Sequence, residues 1–336
     1  MFKKLFKKNK NIIKNVISSE TYIEKMKYDF IEDEGFRYPD NNSKGSEYEY
    51  ITSITSSYLS KEINYQSPEL IMTRLRSWHL DNCFYQIMHK KNSNKALEYF
   101  AQSALYGFIS LYTNRMAANC QFPYKINDYS YPLANTYLAQ CLIAGYDKEY
   151  ESIIHWFYTS IQYREIDIVS YVNEHDTIYL DTDTDRYTSV WFLYYLNHKA
   201  KKITINIDTP PLDEYYKQIV DNWDTEDMRE LEKFIYNLSE YHLEKTREDT
   251  KEEQLNNEFN NPLYWLFPYE ILAWLKLREQ AGHKNPKTFT HPLMNTPIAK
   301  MFLDIKEPLP KPTELPYAKE LLEKLKGQCP EVEIPT

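Results

Sequence analysis

The sequence predicts an all-α protein built from antiparallel helical hairpins that pack into two helical domains or subdomains. Two observations predict this class. Glycine is scarce, with 6 among 336 residues, whereas the tight turns of all-β folds and the phosphate loops of nucleotide enzymes depend on glycine. Apolar residues also recur at helical spacing along most of the chain. Hydrophobic residues make up 42% of the chain, which is typical of a globular protein rather than a disordered one.

The helical signals in the N-terminal half begin at the first residue. Residues 1–17 carry six lysines and no acidic residue, with apolar residues between them. This pattern predicts a basic helix, to which the sequence assigns no role. Ser67 as the cap, Pro68 in the first turn and Glu69 after it predict the start of a second helix. Apolar residues at i, i+3, i+4 and i+7 predict a long helix over residues 97–116.

A helical hairpin is predicted over residues 132–158. Its first helix ends at Gly145, a favoured residue after a helix C-terminus, and Asp147 is expected to cap the second helix. Alternating isoleucines permit at most a short strand near 202–207, and two prolines end it. We therefore predict a boundary between an N-terminal module, residues 1–200, and a C-terminal module, residues 211–336.

The C-terminal module shows three further patterns. An apolar stripe over residues 228–241 predicts a helix, and the apolar stretch 262–277 predicts one buried core helix. That stretch is short for a membrane span and contains Pro268 and Glu270, so no stable membrane insertion is expected. Four prolines within residues 308–316 predict an extended segment before a last helix over residues 317–326.

Charge and cysteine content limit the classes of partner and compartment. The net charge is −9, and because residues 1–17 carry +6, the remainder of the chain carries −15. Such a body repels nucleic acid and attracts basic partners, so we expect no nucleic-acid partner. The four cysteines show neither metal-ligand spacing nor a disulfide framework, and no signal peptide is visible, which predicts a cytoplasmic protein.

Five carboxylates form an acidic loop that we predict to be either a solvated connection or a docking patch for a basic partner. They are Glu174, Asp176, Asp181, Asp183 and Asp185. Three of them have the spacing that opens a calcium-binding EF-hand loop, but that loop needs Gly at its sixth position and Glu at its twelfth. Those positions hold Arg186 and Phe192, so no EF-hand is predicted. A second acidic stretch covers residues 224–258.

Catalytic and metal-binding patterns are weak. Arg74 and His79 match a spacing found in small all-α ribonucleases, but such a match is expected by chance in a chain of this length. No nucleophile motif, metal-ligand pattern or cofactor loop is visible, so we predict no metal, no cofactor and no enzymatic activity. Glu270 is expected to be buried, and a structural role is favoured over that of an active-site acid. Its partner would be an arginine, a tyrosine hydroxyl or the backbone freed by Pro268.

Residues 260–325 carry a resemblance to a known class of proteins. Trp265-Leu-Phe-Pro-Tyr-Glu-Ile-Leu-Ala-Trp-Leu is followed by Gly282, then His291-Pro-Leu-Met-Asn-Thr-Pro, a proline-rich segment and a final amphipathic helix. This order resembles the C-terminal end of the all-α immunity proteins of bacterial polymorphic-toxin systems, above all the family called immunity protein forty-nine. A nuclease-immunity family with two α-helical domains is similar as well.

The resemblance implies a cytoplasmic, non-enzymatic protein that binds and neutralises a cognate toxin, often one delivered by type VI secretion. It carries over no toxin-contacting residue, and it implies a structural role for His291 as the residue where the chain turns. The leading hypothesis is therefore immunity through occlusion of a basic toxin by the acidic loop. An α-helical ribonuclease using Arg74 and His79, or a helical adaptor, remains the alternative, and the toxin and the oligomeric state stay open.

Overall fold

The computed structural model describes residues 18–32, 47–60, 68–121, 131–162, 188–202, 212–246, 259 and 262–328. Within these ranges the chain forms thirteen α-helices and one short 3₁₀ helix, without any strand, which confirms the all-α fold. The basic segment 1–17 lies outside the described residues, and so does almost all of the strand predicted near 202–207.

The helices of the N-terminal half are α1 (Ser19–Glu32), α2 (Glu47–Ser60), α3 (Pro68–Met88), α4 (Ser93–Gln121), α5 (Tyr131–Ala144), α6 (Asp147–Gln162) and α7 (Thr188–Lys201). Those of the C-terminal half are α8 (Glu214–Asp221), α9 (Met228–Thr246), α10 (Pro262–Trp265), α11 (Tyr269–Gln280), α12 (Pro297–Leu303) and α13 (Ala318–Gln328). The 3₁₀ helix (Pro292–Asn295) precedes α12. None of these helices is both long and apolar enough to cross a bilayer.

Local sequence signals locate most helix ends correctly, with one exception in the apolar stretch 262–277. Helix α3 begins at Pro68 as predicted, and the long helix predicted over 97–116 lies within α4. The prediction of a single helix over 262–277 is wrong, because the chain divides there into α10 and α11. Pro268 has no N–H to donate and stands before the first turn of α11, where its carbonyl accepts from Leu272 N (3.0 Å).

Gly145 makes the turn between α5 and α6, as predicted. Its φ of +76° is one that side chains with a Cβ rarely adopt, and a Cβ there would lie 2.8 Å from Pro308 Cα. Asp147 is the first residue of α6 rather than its cap, since the Tyr146 carbonyl already accepts from Tyr150 N (2.9 Å). The Asp147 carboxylate instead accepts a hydrogen bond from Gln280 (3.0 Å).

The proline-rich residues 304–317, here called the proline strap, run without regular structure from α12 to α13, as the sequence predicts. The strap crosses the α5–α6 hairpin, where Leu309 N donates to the last carbonyl of α5, that of Ala144 (2.9 Å). Its far end accepts a hydrogen bond from Tyr106 OH of α4 at Pro316 O (2.7 Å). The strap thus joins the C-terminal half of the chain to helices of the N-terminal half.

The core is built around the α3–α4 hairpin. Helix α4 also packs on α5, and α11 packs on α5 and α7, while α12 contacts α3. Buried side chains on both sides of the boundary predicted at 201–211 belong to one continuous hydrophobic cluster. Helix α11 therefore lies against helices of the N-terminal half. Polar side chains of α11 are thus neighbours of polar side chains of those helices.

Candidate functional site

All five residues of the predicted acidic loop lie outside the described residues. These are Glu174, Asp176, Asp181, Asp183 and Asp185. The structure does describe most of the second acidic stretch, together with the short helix before it. Residues 212–246, here called the acidic segment, comprise α8, a connecting turn and α9. They contain ten acidic residues against four basic ones, a net charge of −6.

Two aspartates of the acidic segment fix its helices at their N-termini. Asp213 accepts hydrogen bonds from the backbone N–H groups of Tyr215 and Tyr216 (both 3.1 Å), which caps α8. Asp227 accepts from Arg229 N (2.9 Å) and so caps α9. A carboxylate in this position satisfies free backbone donors and interacts favourably with the helix dipole. The sequence encodes this support locally.

Three glutamates tie the acidic segment to the rest of the molecule. Glu226 pairs with His283 (2.6 Å), and this hydrogen bond holds the pKa of Glu226 below its usual value. Glu232 accepts from the backbone and the hydroxyl of Thr290 (2.6 and 2.8 Å). Glu240 accepts from His291, as described below. Asp221, Asp224 and Glu244 are exposed and make no hydrogen bond or ion pair with the described residues.

The acidic segment also exposes large apolar side chains. The described residues expose five such side chains, and three of them lie in this segment: Tyr215, Met228 and Tyr236, with exposed fractions of 46%, 37% and 41%. The Tyr215 ring packs against Tyr241 (centroids 5.0 Å apart), and the Tyr236 ring packs edge-on against His291 (5.0 Å). Both exposed rings are therefore held in place by a neighbouring ring.

Glu270 is fully buried, as the sequence predicts, but its partner is His242 rather than an arginine, a tyrosine hydroxyl or free backbone. Glu270 Oε1 lies 2.7 Å from His242 Nδ1, and both side chains have no exposed surface. His242 Nε2 faces the Tyr264 carbonyl at 3.0 Å, and a carbonyl only accepts, so Nε2 carries a hydrogen. The two side chains are therefore hydrogen-bonding partners within the core.

His291 lies where the chain enters the 3₁₀ helix. Its Nδ1 accepts from Leu293 N (3.1 Å) and caps the 3₁₀ helix. Its Nε2 donates to Glu240 Oε1 (3.0 Å), an oxygen that also accepts from Ser19 Oγ of α1 (2.7 Å). Burial lowers the pKa of His291, which favours the neutral ring that this arrangement requires.

The structure does not bring Arg74 and His79 together as a catalytic pair. Arg74 donates to Glu47 (3.0 Å) and stacks over the Tyr50 ring. His79 is buried on another face of α3, stacked on Tyr106 with ring centroids 5.1 Å apart. Burial lowers its pKa to about 3, and the Gln102 side chain offsets only part of this shift. A histidine that is neutral at physiological pH and shielded from solvent is poorly placed to shuttle a proton.

Sequence reasoning missed two fully buried arginines, because arginine is seldom found in a core. Arg278 of α11 donates to the carbonyls of Trp223, Thr225 and Lys284 and to Asn285 Oδ1, over distances of 2.5–3.1 Å. It thereby fixes the turn of the acidic segment from beneath. Arg76 of α3 lies in the interior beside α5, and its environment is described below.

The described residues show no group of three or more histidine, cysteine or carboxylate side chains that could hold a metal ion. Cys83 and Cys141 are buried free thiols, and burial raises the pKa of both well above the usual value. Such thiols are inert rather than nucleophilic. Comparison with known proteins finds no matching family model, curated protein or solved structure.

Proposed function

We propose that this chain is an immunity protein that binds a basic protein toxin and blocks it by covering its active site. The observation that supports this most directly is the acidic segment, where a net charge of −6 coincides with three exposed large apolar side chains. Charge accelerates encounter with a basic partner, and rigid aromatic side chains slow dissociation. The toxin would be neutralised by steric exclusion, with no chemistry supplied by this chain.

The rigidity of the acidic segment supports binding at this surface. Asp213 and Asp227 cap its two helices, and Arg278 holds the turn between them through backbone carbonyls. A surface that is ordered before binding loses little conformational entropy on association. Asp221 and Asp224 stand at this turn with exposed carboxylates that form no hydrogen bond or ion pair with the described residues, although Asp224 interacts electrostatically with Arg278 beneath it.

The C-terminal resemblance adds the biological setting of the proposal. It implies a cytoplasmic protein that neutralises a toxin delivered by a competing bacterium, often through type VI secretion. The acidic loop around Asp181, Asp183 and Asp185 stays a prediction as a second contact region, because it lies outside the described residues.

A co-expression experiment tests the function. The product of the gene immediately upstream is expressed alone and together with this chain, and growth is measured. We expect the product alone to stop growth, and this chain to restore growth through a stable one-to-one complex. The double variant Arg74→Ala/His79→Ala should restore growth equally well. Toxicity that this chain leaves unrelieved would contradict immunity, as would ribonuclease activity of the purified chain that the double variant abolishes.

A pair of matched charge variants tests the surface. Asp221→Lys/Asp224→Lys should slow association with that toxin about ten-fold or more and flatten its dependence on salt, since steering acts on the on-rate. Glu314→Lys/Glu320→Lys makes the same change in net charge at exposed residues of the proline strap and α13, and should keep the on-rate within about two-fold. Equal slowing by the two variants would assign recognition to another surface.

The contribution of the exposed aromatic side chains to binding is measured by the off-rate of the complex. Tyr215→Ala/Tyr236→Ala should raise the off-rate by about ten-fold or more and leave the on-rate nearly unchanged. Surface plasmon resonance separates the two rates. An unchanged off-rate would show that the two tyrosines do not contact the toxin. The role of the acidic charges is tested separately by the charge variants.

A further inference from the structure

Arg76 is a buried cation without a counter-charge. Its side chain has no exposed surface, and no carboxylate lies within ion-pairing distance among the described residues. The guanidinium lies over the rings of Tyr137 and Tyr264, with Cζ 4.9 and 5.7 Å from the ring centroids. The faces of the two rings attract the cation, but they cancel only part of its charge.

Few of the hydrogens of Arg76 find an acceptor. Nε donates to Gln140 Oε1 (3.0 Å) and Nη1 donates to Tyr264 OH (3.2 Å), whereas Nη2 reaches no acceptor. A guanidinium has five hydrogens, so three of them are left without a partner. Native proteins rarely leave a buried donor in this condition, and for a charged group the cost is largest.

The polar groups next to Arg76 are hydrogen-bonded to one another. Gln140 Nε2 donates to Ser103 Oγ (3.2 Å), and Ser103 Oγ donates to the backbone carbonyl of Arg76 (2.9 Å). Together with the bond from Arg76 Nε, these form a closed ring of three hydrogen bonds. Rotating a side chain of this ring to serve Nη2 would break another bond of the ring.

The hydroxyl of Tyr137 adds another donor next to the guanidinium. It is buried, and the neighbouring Thr73 hydroxyl, which is also paired with Ser110 Oγ (2.8 Å), acts on it as a donor, so the hydrogen of Tyr137 itself finds no acceptor among the described residues. Burial raises the pKa of Tyr137 to about 12, so the hydroxyl keeps its hydrogen at physiological pH. Tyr264 OH accepts from Arg76 and has its own hydrogen to offer. The three groups share a surplus of hydrogens beside a positive charge.

We propose that Arg76 Nη2, Tyr137 OH and Tyr264 OH bind a small monovalent inorganic anion, such as chloride, in the interior between α3, α5 and α10. An anion accepts from all three groups and neutralises the guanidinium. A water molecule would leave the charge of the guanidinium in place, whereas an anion cancels it. Arg76 and Tyr137 are both fully buried, so the ligand has to be small.

Thermal unfolding of the full chain tests this proposal, with sodium chloride replacing sodium gluconate at constant ionic strength. A ligand that binds only the folded state raises the Tm with its concentration, by about 2 °C at ten times its dissociation constant. We expect this rise for the wild type and its loss in Arg76→Met. Tyr137→Phe keeps the cation and removes one donor, so it should weaken chloride binding about ten-fold. Because Tyr137→Phe removes only one hydroxyl group, it still tests the proposal if Arg76→Met does not fold.

Arg74→Met is the matched control, since it makes the same substitution two residues earlier on α3 at an arginine that contacts Glu47 at the surface. It should keep the chloride-dependent rise. Crystals soaked in bromide should show anomalous scattering within hydrogen-bonding distance of Arg76 Nη2. The proposal is overturned if chloride and gluconate stabilise the wild type equally, if Tyr137→Phe responds like the wild type, or if bromide binds elsewhere only.

Discussion

Polar side chains are buried in two parts of this core, and the two parts satisfy them to different extents. In the interior formed by α3, α4 and α5, Arg76 Nη2 reaches no acceptor among the described residues. His79 and Tyr137 OH have only the Gln102 and Thr73 side chains nearby, without a well-formed hydrogen bond. Around α11, Arg278 places four hydrogen bonds on three carbonyls and one amide. His242 there uses both of its ring nitrogens, and only one oxygen in this group, Glu270 Oε2, reaches no partner within the described part of the chain.

The difference follows from what surrounds each group. Along the α3–α4–α5 interior the backbone carbonyls are used within the helices, so a buried cation finds only side-chain acceptors. Arg278 lies at the end of α11, beside chain turns near residues 223–225 and 284, whose carbonyls have no helical partner. In an all-α core, a buried arginine is thus accommodated more readily at helix ends and loops than between helix bodies.

The largest effect expected from this comparison is that of Arg278→Met. Removing the guanidinium leaves the carbonyls of Thr225 and Lys284 without their donor, whereas the Trp223 carbonyl keeps the indole N–H of Trp274 (3.2 Å). We expect the free energy of unfolding to fall by about 3–5 kcal/mol. Urea unfolding followed by circular dichroism measures this change. A loss below about 1 kcal/mol would mean that water replaces the guanidinium easily, which removes the distinction between the two regions.

Glu270 provides a second probe of the C-terminal region. Glu270→Ala leaves His242 Nδ1 without a partner in the core, and we expect a loss of about 2–3 kcal/mol in unfolding free energy. Glu270→Gln should lose less, about 1 kcal/mol, because its amide still donates to Nδ1 of a neutral imidazole. Melting temperatures of the two variants rank them. If both match the wild type, the His242–Glu270 pair contributes nothing to stability.

Acid sensitivity probes the α3–α4–α5 interior through His79. Its pKa is about 3 in the folded chain and near 6.5 when unfolded. Between these values the unfolded chain binds a proton that the folded chain does not, so stability is complete above pH 6.5 and declines as the pH falls. The loss due to His79 is about 2 kcal/mol at pH 5.

The variant His79→Phe keeps the stacked ring and removes this titration, so its urea midpoint should fall less between pH 7 and pH 5 than that of the wild type. His155→Phe, the same change at an exposed histidine of α6, serves as its control. An identical decline in the wild type and His79→Phe would place the acid sensitivity of the fold in other groups.

The smallest effect is expected for Arg76→Met in gluconate buffer. An apolar side chain replaces a cation that makes few hydrogen bonds, and such replacements are nearly neutral or stabilising. We expect a change below about 1 kcal/mol in the free energy of unfolding, measured as for Arg278→Met. A loss as large as that of Arg278→Met would show that the two interiors satisfy their arginines equally well.

Local signals in the sequence predict helix positions better than they predict the polar groups of the core. Pro68 and Gly145 mark helix ends because proline and glycine act through their own backbone. The partners of Glu270 and Arg76 lie 28 and 64 residues away along the chain, and only tertiary packing selects them. The division at Pro268 was available from the sequence, since proline interrupts a helix, but apolar continuity favoured a single helix.

The acidic surface was predictable in composition but not in detail. Counting charges finds the acidic segment, whereas the exposure of Tyr215 and Tyr236 depends on which face of each helix packs inward. Tyrosine is common at buried and exposed positions alike, so its presence alone predicts neither. His291 was assigned its turning role from a resemblance, and its bond to Glu240 spans 51 residues, beyond any local pattern.

The proline strap has a consequence for the order of events during synthesis. The hydrogen bond from Tyr146 to Pro310 joins residues 164 positions apart. At a translation rate of about 5–20 residues per second, the α5–α6 hairpin leaves the ribosome roughly 10–30 s before its covering segment. During that interval the Gly145 turn and the last carbonyl of α5 face the surroundings uncovered. A nascent chain of this protein therefore presents an incomplete core to chaperones and proteases until the strap emerges.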